Sequence, residues 1–187
     1  MTGKAKASVI IGLAVATIAA TTIGWLYEPP TTVGQTGLEI PTDIDYFLSD
    51  FQYKSMNADG NLDFEMQSPY LEHLTVTNIS LIDKPTIQIY RETDDWQIES
   101  LSGRLFHEQN NLQLEENVVM QREGNNPLQV RSEVMLFQLD LDLISTSKTI
   151  QIDSNTAIIN GSEAIFDLKN KVYTLKNTKA IYYRENS

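Results

Sequence analysis

Apolar and polar residues alternate along most of the second part of the chain with a period of two. Leu62, Phe64 and Met66, for example, are separated by Asp63 and Glu65. In such a pattern one face of a β-strand is buried and the other meets water, so we predict antiparallel strands. The same alternation recurs in residues 87–89, 96–98 and 139–143.

Turn-forming residues and a weak repeat divide this strand-rich region. Residues 57–61 (NADGN) and 124–127 (GNNP) have the composition of turns. Arg-Glu pairs at 91–92, 122–123 and 184–185 fall on a 31-residue grid. A unit of strand, turn and strand cannot bury its apolar face alone, whereas stacked units can. We therefore predict an all-β domain, an open barrel or an open β-jellyroll built from roughly 30-residue repeats.

A different pattern occupies the beginning of the chain. Residues 7–27 form a run of 21 uncharged residues, long enough as a helix to cross a bilayer of about 30 Å. Lys4 and Lys6 precede this run and Glu28 follows it. The positive-inside rule then places residues 1–6 in the cytoplasm and the rest outside. A cleaved signal peptide is the alternative, but the candidate cleavage sites are poor and the apolar run continues to Trp25, so we favour a retained transmembrane helix.

Small residues recur at every fourth position of this predicted helix. They are Gly12, Ala16, Ala20 and Gly24. Small side chains on one helix face let two helices approach closely inside a membrane. We therefore expect this face to pack against another membrane protein, although an Ala-rich segment also produces such stripes by chance.

A linker separates the predicted helix from the predicted β domain. Residues 28–45 contain Pro29, Pro30 and Pro41, together with Gly34 and Gly37, and show no apolar periodicity. Such a composition is typical of an extended tether. The predicted β domain then covers residues 46–187.

Composition excludes several functions. The formal net charge is −11 over 187 residues, and two of the 14 basic residues precede the apolar run. An acidic chain of this kind does not suit nucleic acid, which is bound by clustered Lys and Arg. The sequence has no Cys, so it forms no disulfides and has no thiolate chemistry.

Signals for catalysis are scarce. His73 and His107 are far apart in sequence, and each is interpreted as a lone polar residue at a strand edge. The carboxylates show no spacing that selects an acid–base pair or a metal site. We expect no enzymatic activity, no cofactor and no metal.

Several short features follow the short start, the apolar run and the linker in a fixed order. They are an aromatic strand at 46–51, a Gly turn at 57–60, the Leu-Glu-His at 71–73, Lys84-Pro85, a strand opened by Trp96, and the step from 110–114 to 117–122. The order of all these features resembles the LptC family of lipopolysaccharide export over almost the whole chain. The family usually has Gly where this chain has Glu116, so the local turn is expected to differ.

The resemblance implies a non-enzymatic periplasmic β-jellyroll that is open at both ends and anchored in the inner membrane. It implies that acyl chains of lipid A, the lipid part of lipopolysaccharide, bind between two sheet walls. The membrane helix and an N-terminal edge strand near residues 46–53 would contact the LptBFG transporter. A C-terminal edge strand near residues 180–184 would pair with the bridge protein LptA. Both edge strands would bind their partners by strand addition.

Bulky apolar residues on the alternating faces are the candidates for contact with lipid. Those expected to point inward are Phe51, Phe64, Ile82, Ile87, Ile89, Ile98, Met120, Phe137, Phe166, Tyr173 and Tyr183. A bulge in a strand shifts this assignment by one residue.

Three other functions are considered from the same sequence features. The chain could be a soluble bridge of the LptA kind, if its beginning is removed. It could be a membrane-anchored β-scaffold with a filled core that joins proteins without binding lipid. An anchored hydrolase is disfavoured because the chain lacks the usual catalytic motifs.

Overall fold

The computed structural model describes residues 43–183, with the exception of 92, 93, 123 and 125. This part of the chain is all β, as predicted, and forms eleven strands in one sheet. The strands are β1 (Ile44–Met56), β2 (Leu62–Leu74), β3 (Ile79–Asp83), β4 (Thr86–Ile89), β5 (Trp96–Glu99), β6 (Ser102–Phe106), β7 (Asn111–Arg122), β8 (Leu128–Gln138), β9 (Leu143–Ser154), β10 (Ala157–Asp167) and β11 (Val172–Tyr182).

The sheet is a single antiparallel meander. β3 and β4 together line one side of β2, while β5 and β6 together line one side of β7. Each of these short pairs therefore takes the place of one long strand in the order β1, β2, β3/β4, β6/β5, β7, β8, β9, β10, β11. β1 and β11 are left as the two edges of the sheet.

Pairing is interrupted near the middle of the long strands, and ring contacts between their opposite ends imply that the strands bend there, along a line that we call the crease. The bends coincide with residues that interrupt the pairing, through a positive φ, a register shift or a proline without an N–H group. The crease runs through Asp50, Ser68-Pro69, Lys84-Pro85, Ser100-Leu101, Glu116-Asn117, Glu133-Val134, Ser147-Lys148, Glu163 and Asn177.

The crease divides the sheet into two halves, which pack against each other. We call half A the side that carries the connections at 57–61, 90–95, 123–127 and 155–156, and half B the side that carries the four-residue turns. Phe64 of half A contacts Phe137 of half B, with ring centroids 6.0 Å apart. This arrangement of a meander folded onto itself is consistent with the predicted jellyroll.

The turns of half B show the physical basis of the repeat seen in the sequence. They begin at Thr75, His107, Leu139 and Leu168, at intervals of 32, 32 and 29 residues. Each turn has four residues, and the last of them has a positive φ: Asn78, Asn110, Asp142 and Lys171. One repeat is thus a hairpin of two strands that crosses the crease twice.

The turn predicted at residues 57–61 joins β1 to β2. The Asn57 side-chain oxygen accepts hydrogen bonds from the N–H groups of Asp59 and Asn61, each at 3.0 Å. Gly60 has a φ of +81°, a conformation that glycine adopts without strain. The second predicted turn, at 124–127, lies between β7 and β8.

The strand predicted at residues 139–143 is wrong, because four of these five residues form the turn between β8 and β9. Asn110 lies opposite this turn, and its carbonyl accepts the N–H of Leu139 at 3.1 Å. The Asn110 side chain also donates to Asp140. Asp142 ends the turn with a φ of +55°, and Leu141 is exposed. Alternation of leucine with aspartate therefore arises here from a turn on the surface.

A bulge lies at Glu116, the position where the resemblance noted above implies glycine. Glu116 and Asn117 have φ values of +64° and +55°, and the β7–β8 register shifts beside them. The Glu116 carbonyl accepts the N–H of Leu101 at 3.0 Å. Glu116 thus takes the left-handed conformation that glycine adopts most readily.

No helix long and apolar enough to span a membrane occurs in the part of the chain that the structure describes. The predicted transmembrane segment at 7–27 and its small residues Gly12, Ala16, Ala20 and Gly24 lie outside the described residues. So do residues 1–6 and nearly all of the predicted linker at 28–45. β1 begins at Ile44, two residues before the predicted start of the β domain.

Candidate functional site

The apolar interior between the two halves is the candidate site. The inner strands place one apolar side chain inside at every second residue, as in β4, where Ile87 and Ile89 are fully buried and Gln88 is only partly covered. Eight of the predicted inward residues lie in this core: Phe64, Ile82, Ile87, Ile89, Ile98, Met120, Phe137 and Phe166.

The remaining three predicted residues lie at or beyond the ends of this core. Phe51 and Tyr173 are partly buried and pack against it. Tyr183 is 53% exposed and follows the last residue of β11. The inward placement predicted for Tyr183 is therefore wrong, because the alternation was continued past the end of the strand.

Contacts between the halves fill the interior. Besides Phe64 and Phe137, Trp96 of half A meets Tyr173 of half B edge to face, with centroids 6.0 Å apart. Arg122 lies over the Trp96 ring at 5.2 Å, a favourable cation–π arrangement. Core side chains such as Ile87, Ile98 and Phe137 are at most 1% exposed, so room for acyl chains between the halves requires these side chains to separate.

Sequence reasoning missed several residues of this interior. Leu112, Leu114, Met135, Ile144 and Ile150 are all fully buried. The signal was present in their alternation with polar neighbours, for example Gln113 between Leu112 and Leu114.

The two histidines, interpreted separately from the sequence, form one polar cluster in half B. Ser80 Oγ lies 2.9 Å from His107 Nε2 and 3.3 Å from His73 Nδ1. The two imidazole rings meet edge to face with centroids 5.0 Å apart. The interpretation of each as a lone residue is therefore wrong, because β3 pairs with β2 on one side and with β6 on the other and so brings the two segments together.

This cluster fixes the beginning of β1 to the sheet. Tyr46 stacks on His73 at 4.9 Å, and Asp45 lies 3.8 Å from His73 Nε2. Removal from water, and then the neighbouring His73, lower the pKa of His107 from its ordinary value. Within the described range, no group of three or more His, Cys, Asp or Glu residues is arranged to hold a metal ion.

Arg91 joins the outer margins of the two halves, the sides that lie away from the crease. Its guanidinium donates to the Asp63 carboxylate at 2.8 Å in half A and also to Asp142 in the turn of half B. We call these three side chains the Arg91 bridge. The Arg91 side chain is only 13% exposed, so the bridge is largely shielded from water.

The two edge strands expose apolar side chains that the inner strands bury. In β1 these are Tyr46, Phe47, Leu48, Tyr53 and Met56, each between 42% and 58% exposed. In β11 and just after it they are Val172, Ile181, Tyr182 and Tyr183. Unpaired backbone and exposed apolar side chains together are typical of surfaces that receive another strand.

Comparison with known families identifies this architecture. A family model described as lipopolysaccharide-assembly, LptC-related, matches residues 12–183. The chain belongs to the LptC-related family. LptC-related proteins are components of lipopolysaccharide transport, act as transport scaffolds and are not known as enzymes. No curated protein matches the sequence.

Proposed function

We propose that this LptC-related protein receives lipopolysaccharide from the LptBFG transporter of the inner membrane. It holds the acyl chains in the apolar interior between halves A and B and passes the lipid to LptA. The observation that carries the proposal is the family match over residues 12–183. A folded sheet whose two halves enclose a cluster of buried apolar side chains supports it.

Energetics favour acyl chains over the headgroup as the recognised part of the lipid. Each buried methylene contributes about 0.8 kcal/mol, so a few chains supply substantial affinity without basic residues. The formal net charge of −11 offers little attraction for the phosphates of lipid A. Ile87, Ile98 and Phe137, which lie deep between the halves, are the side chains that the chains would meet.

The two edges are the proposed sites of the partner proteins. β1, which covers the predicted strand near residues 46–53, would pair with a β domain of the transporter. β11 and the residues after it, near 180–184, would pair with LptA. Strand addition at an edge uses main-chain hydrogen bonds for affinity and exposed side chains for specificity, and both edges expose apolar side chains for this purpose.

The beginning of the chain completes the proposal. Residues 7–27 would anchor the protein in the inner membrane, with Gly12, Ala16, Ala20 and Gly24 packed against helices of the transporter. The β domain would then act in the periplasm at the end of the linker. Energy would come from the partner ATPase.

A second candidate function is a scaffold that joins the transporter to LptA without binding lipid. The filled interior favours this alternative, because Ile87, Ile89 and Ile98 have no exposed surface. In this case the edges would carry the whole function.

Site-specific photo-crosslinking in cells separates the two candidates. A crosslinker at Ile87 or Phe51 should capture lipopolysaccharide, while the same group at Gln88, on the opposite face of β4, should not. Equal capture at Ile87 and Gln88 would contradict an internal site. Capture of partner proteins at both edges, with no lipid at any inward position, would establish the scaffold instead. Mass spectrometry of lipid A extracted from the purified full-length protein provides an independent measurement.

A further inference from the structure

The two halves of the folded sheet meet along two lines, the crease and the outer margins, and different interactions hold them together along each. We call the line of contact along the outer margins the seam. Along the crease the halves are joined by the covalent backbone of every strand that crosses it. Along the outer margins they are joined by side chains, as at Arg91 and Asp142 or at Trp96 and Tyr173. If the halves are to part, they must therefore part at the margins.

The Arg91 bridge lies across this separable seam. Asp63 belongs to half A and Asp142 to the turn that ends half B, so the guanidinium of Arg91 ties the halves to each other. Other ion pairs have a different geometry: Arg104–Glu115 and Arg131–Asp153 each join neighbouring strands of one half. Loss of those pairs would leave the seam unchanged.

The chemistry of the bridge is unfavourable for a purely stabilising role. Arg91 Nε is buried and has no hydrogen-bond partner in the structure of the described residues. A buried ion pair contributes little net stability, because both charges lose their hydration, and an unpaired buried N–H reduces it further. An ion pair of this kind can be exchanged for water when the seam opens, whereas an apolar contact cannot.

We propose that the Arg91 bridge controls a sideways opening between the two margins, through which acyl chains reach the interior. This inference rests on the proposed binding of lipid in the interior. It makes Arg91 a positioning residue that acts on the halves and does not itself contact the chains. The interior then has a closed state, in which the core is filled, and an open state, in which the margins have separated. The Arg91 bridge determines how readily the closed state opens.

Opening can be measured without lipid, by the access of a quencher to Trp96. Trp96 is 2% exposed and lies beside the seam. The full-length protein carries one other tryptophan, Trp25, which the background substitution Trp25→Phe removes. Arg91→Met and Asp142→Asn should each raise the acrylamide quenching constant of Trp96 at least threefold, while the control Arg104→Met should not.

The experiment uses two variants of the Arg91 bridge, so that it gives a result even if one of them does not fold. Asp142→Asn retains a hydrogen-bond acceptor, so it reports on the seam even if Arg91→Met does not fold. Unchanged quenching of Trp96 in a folded bridge variant would overturn the inference. An equal rise in Arg104→Met would overturn it as well, since that pair lies within half B.

The route of the lipid can be tested with a covalent lock. The chain has no cysteine, so the pair Arg91→Cys and Asp142→Cys can be joined selectively with a bismaleimide. The double-cysteine variant, full-length and in detergent, is mixed with fluorescent lipopolysaccharide. Without the bismaleimide (unlocked) it should load lipid at least threefold faster than the parent protein. With the bismaleimide (locked) it should load lipid at least tenfold more slowly than the parent. The pair Arg104→Cys and Glu115→Cys, within one half, should load at the parental rate in both states.

The outcomes separate this inference from the proposed function. If the parent loads lipid and the locked protein loads equally fast, acyl chains use the ends of the sheet and the sideways route is wrong. If the parent loads no lipid at all, the proposed binding function fails, and the lipid route fails with it.

Discussion

Edge strand β1 and inner strand β7 both carry apolar side chains but bury them very differently. β7 buries every second residue for most of its length, including Leu112, Leu114 and Met120. β1 carries aliphatic residues and also aromatic ones, which β7 lacks, yet only Phe51 is partly buried against the core, and Tyr53 stays 50% exposed although its ring lies 5.8 Å from that of Phe64. The difference is one of neighbours, because β7 pairs along both sides and β1 along one. The exposed apolar residues of β1 therefore indicate an edge that would be covered if a further strand paired with it.

The largest expected effect contrasts two phenylalanines. Phe137 is 1% exposed and Phe47 is 49% exposed. Phe137→Ala should lower the free energy of unfolding by about 3–5 kcal/mol, because it leaves a cavity in the core, whereas Phe47→Ala should change it by less than about 1 kcal/mol. Chemical denaturation of both variants checks this. Similar losses would mean that β1 is already part of the stable core.

The second prediction concerns binding at the opposite edge. The N–H of Tyr183 donates to the Thr156 carbonyl at 2.9 Å. Since hydrogen bonding alternates along an antiparallel pair, the N–H of Ala180 points away from β10. Ala180→Pro should therefore weaken the proposed binding of LptA at least tenfold and leave the melting temperature nearly unchanged. Ala180→Val, which keeps the N–H, is the matched control. Full binding by the proline variant would exclude strand addition at this edge.

A third, smaller effect tests strain in an inner and an edge strand. Glu116 in β7 and Asp50 in β1 both have positive φ values, of +64° and +47°. A β-branched residue is strained in this conformation, so Glu116→Val should destabilise the protein by about 1–2 kcal/mol. Asp50→Val should cost less, because β1 pairs on one side and can adjust. Thermal unfolding of the two variants gives the comparison, and the reverse order would show that the edge is the more rigid of the two.

The smallest expected effect is a pH dependence of stability that arises from the histidine cluster at the beginning of β1. The pKa of His107 lies below its ordinary value of 6.5 in the folded protein. The unfolded chain therefore binds the proton more readily, and stability falls as the pH is lowered through about 6.5. His107→Gln should reduce the loss of melting temperature between about pH 8 and about pH 5.5. An identical loss in the variant would assign the pH dependence to other groups.

The local part of this fold could be predicted from the sequence. Alternation of apolar and polar residues identified the strands that contain Phe64, Ile87 and Ile98, and it placed these side chains on the buried face. Asn57 and Gly60 identified a turn, because their preference for its backbone conformation is local. Both signals depend on residues a few positions apart.

The rest depends on contacts that local patterns do not contain. Leucine and aspartate alternate at 139–143 as in a strand, but pairing of Asn110 with this segment makes it a turn. The meeting of His73 with His107 and of Arg91 with Asp142 follows from the fold of the whole sheet. Similarly, composition could not distinguish a filled interior from an open groove, because both are lined by the same side chains.

The crease has a further consequence for how this architecture can change. Each hairpin of about 32 residues crosses the crease twice, so one more hairpin would widen the sheet by two strand spacings, about 10 Å. The cross-section of the interior would stay the same, because it is determined by where each strand bends. Length and cross-section are therefore encoded independently, the first by the number of hairpins and the second by the position of the bends. Duplication of a hairpin would thus lengthen such a domain without changing the cross-section of its interior.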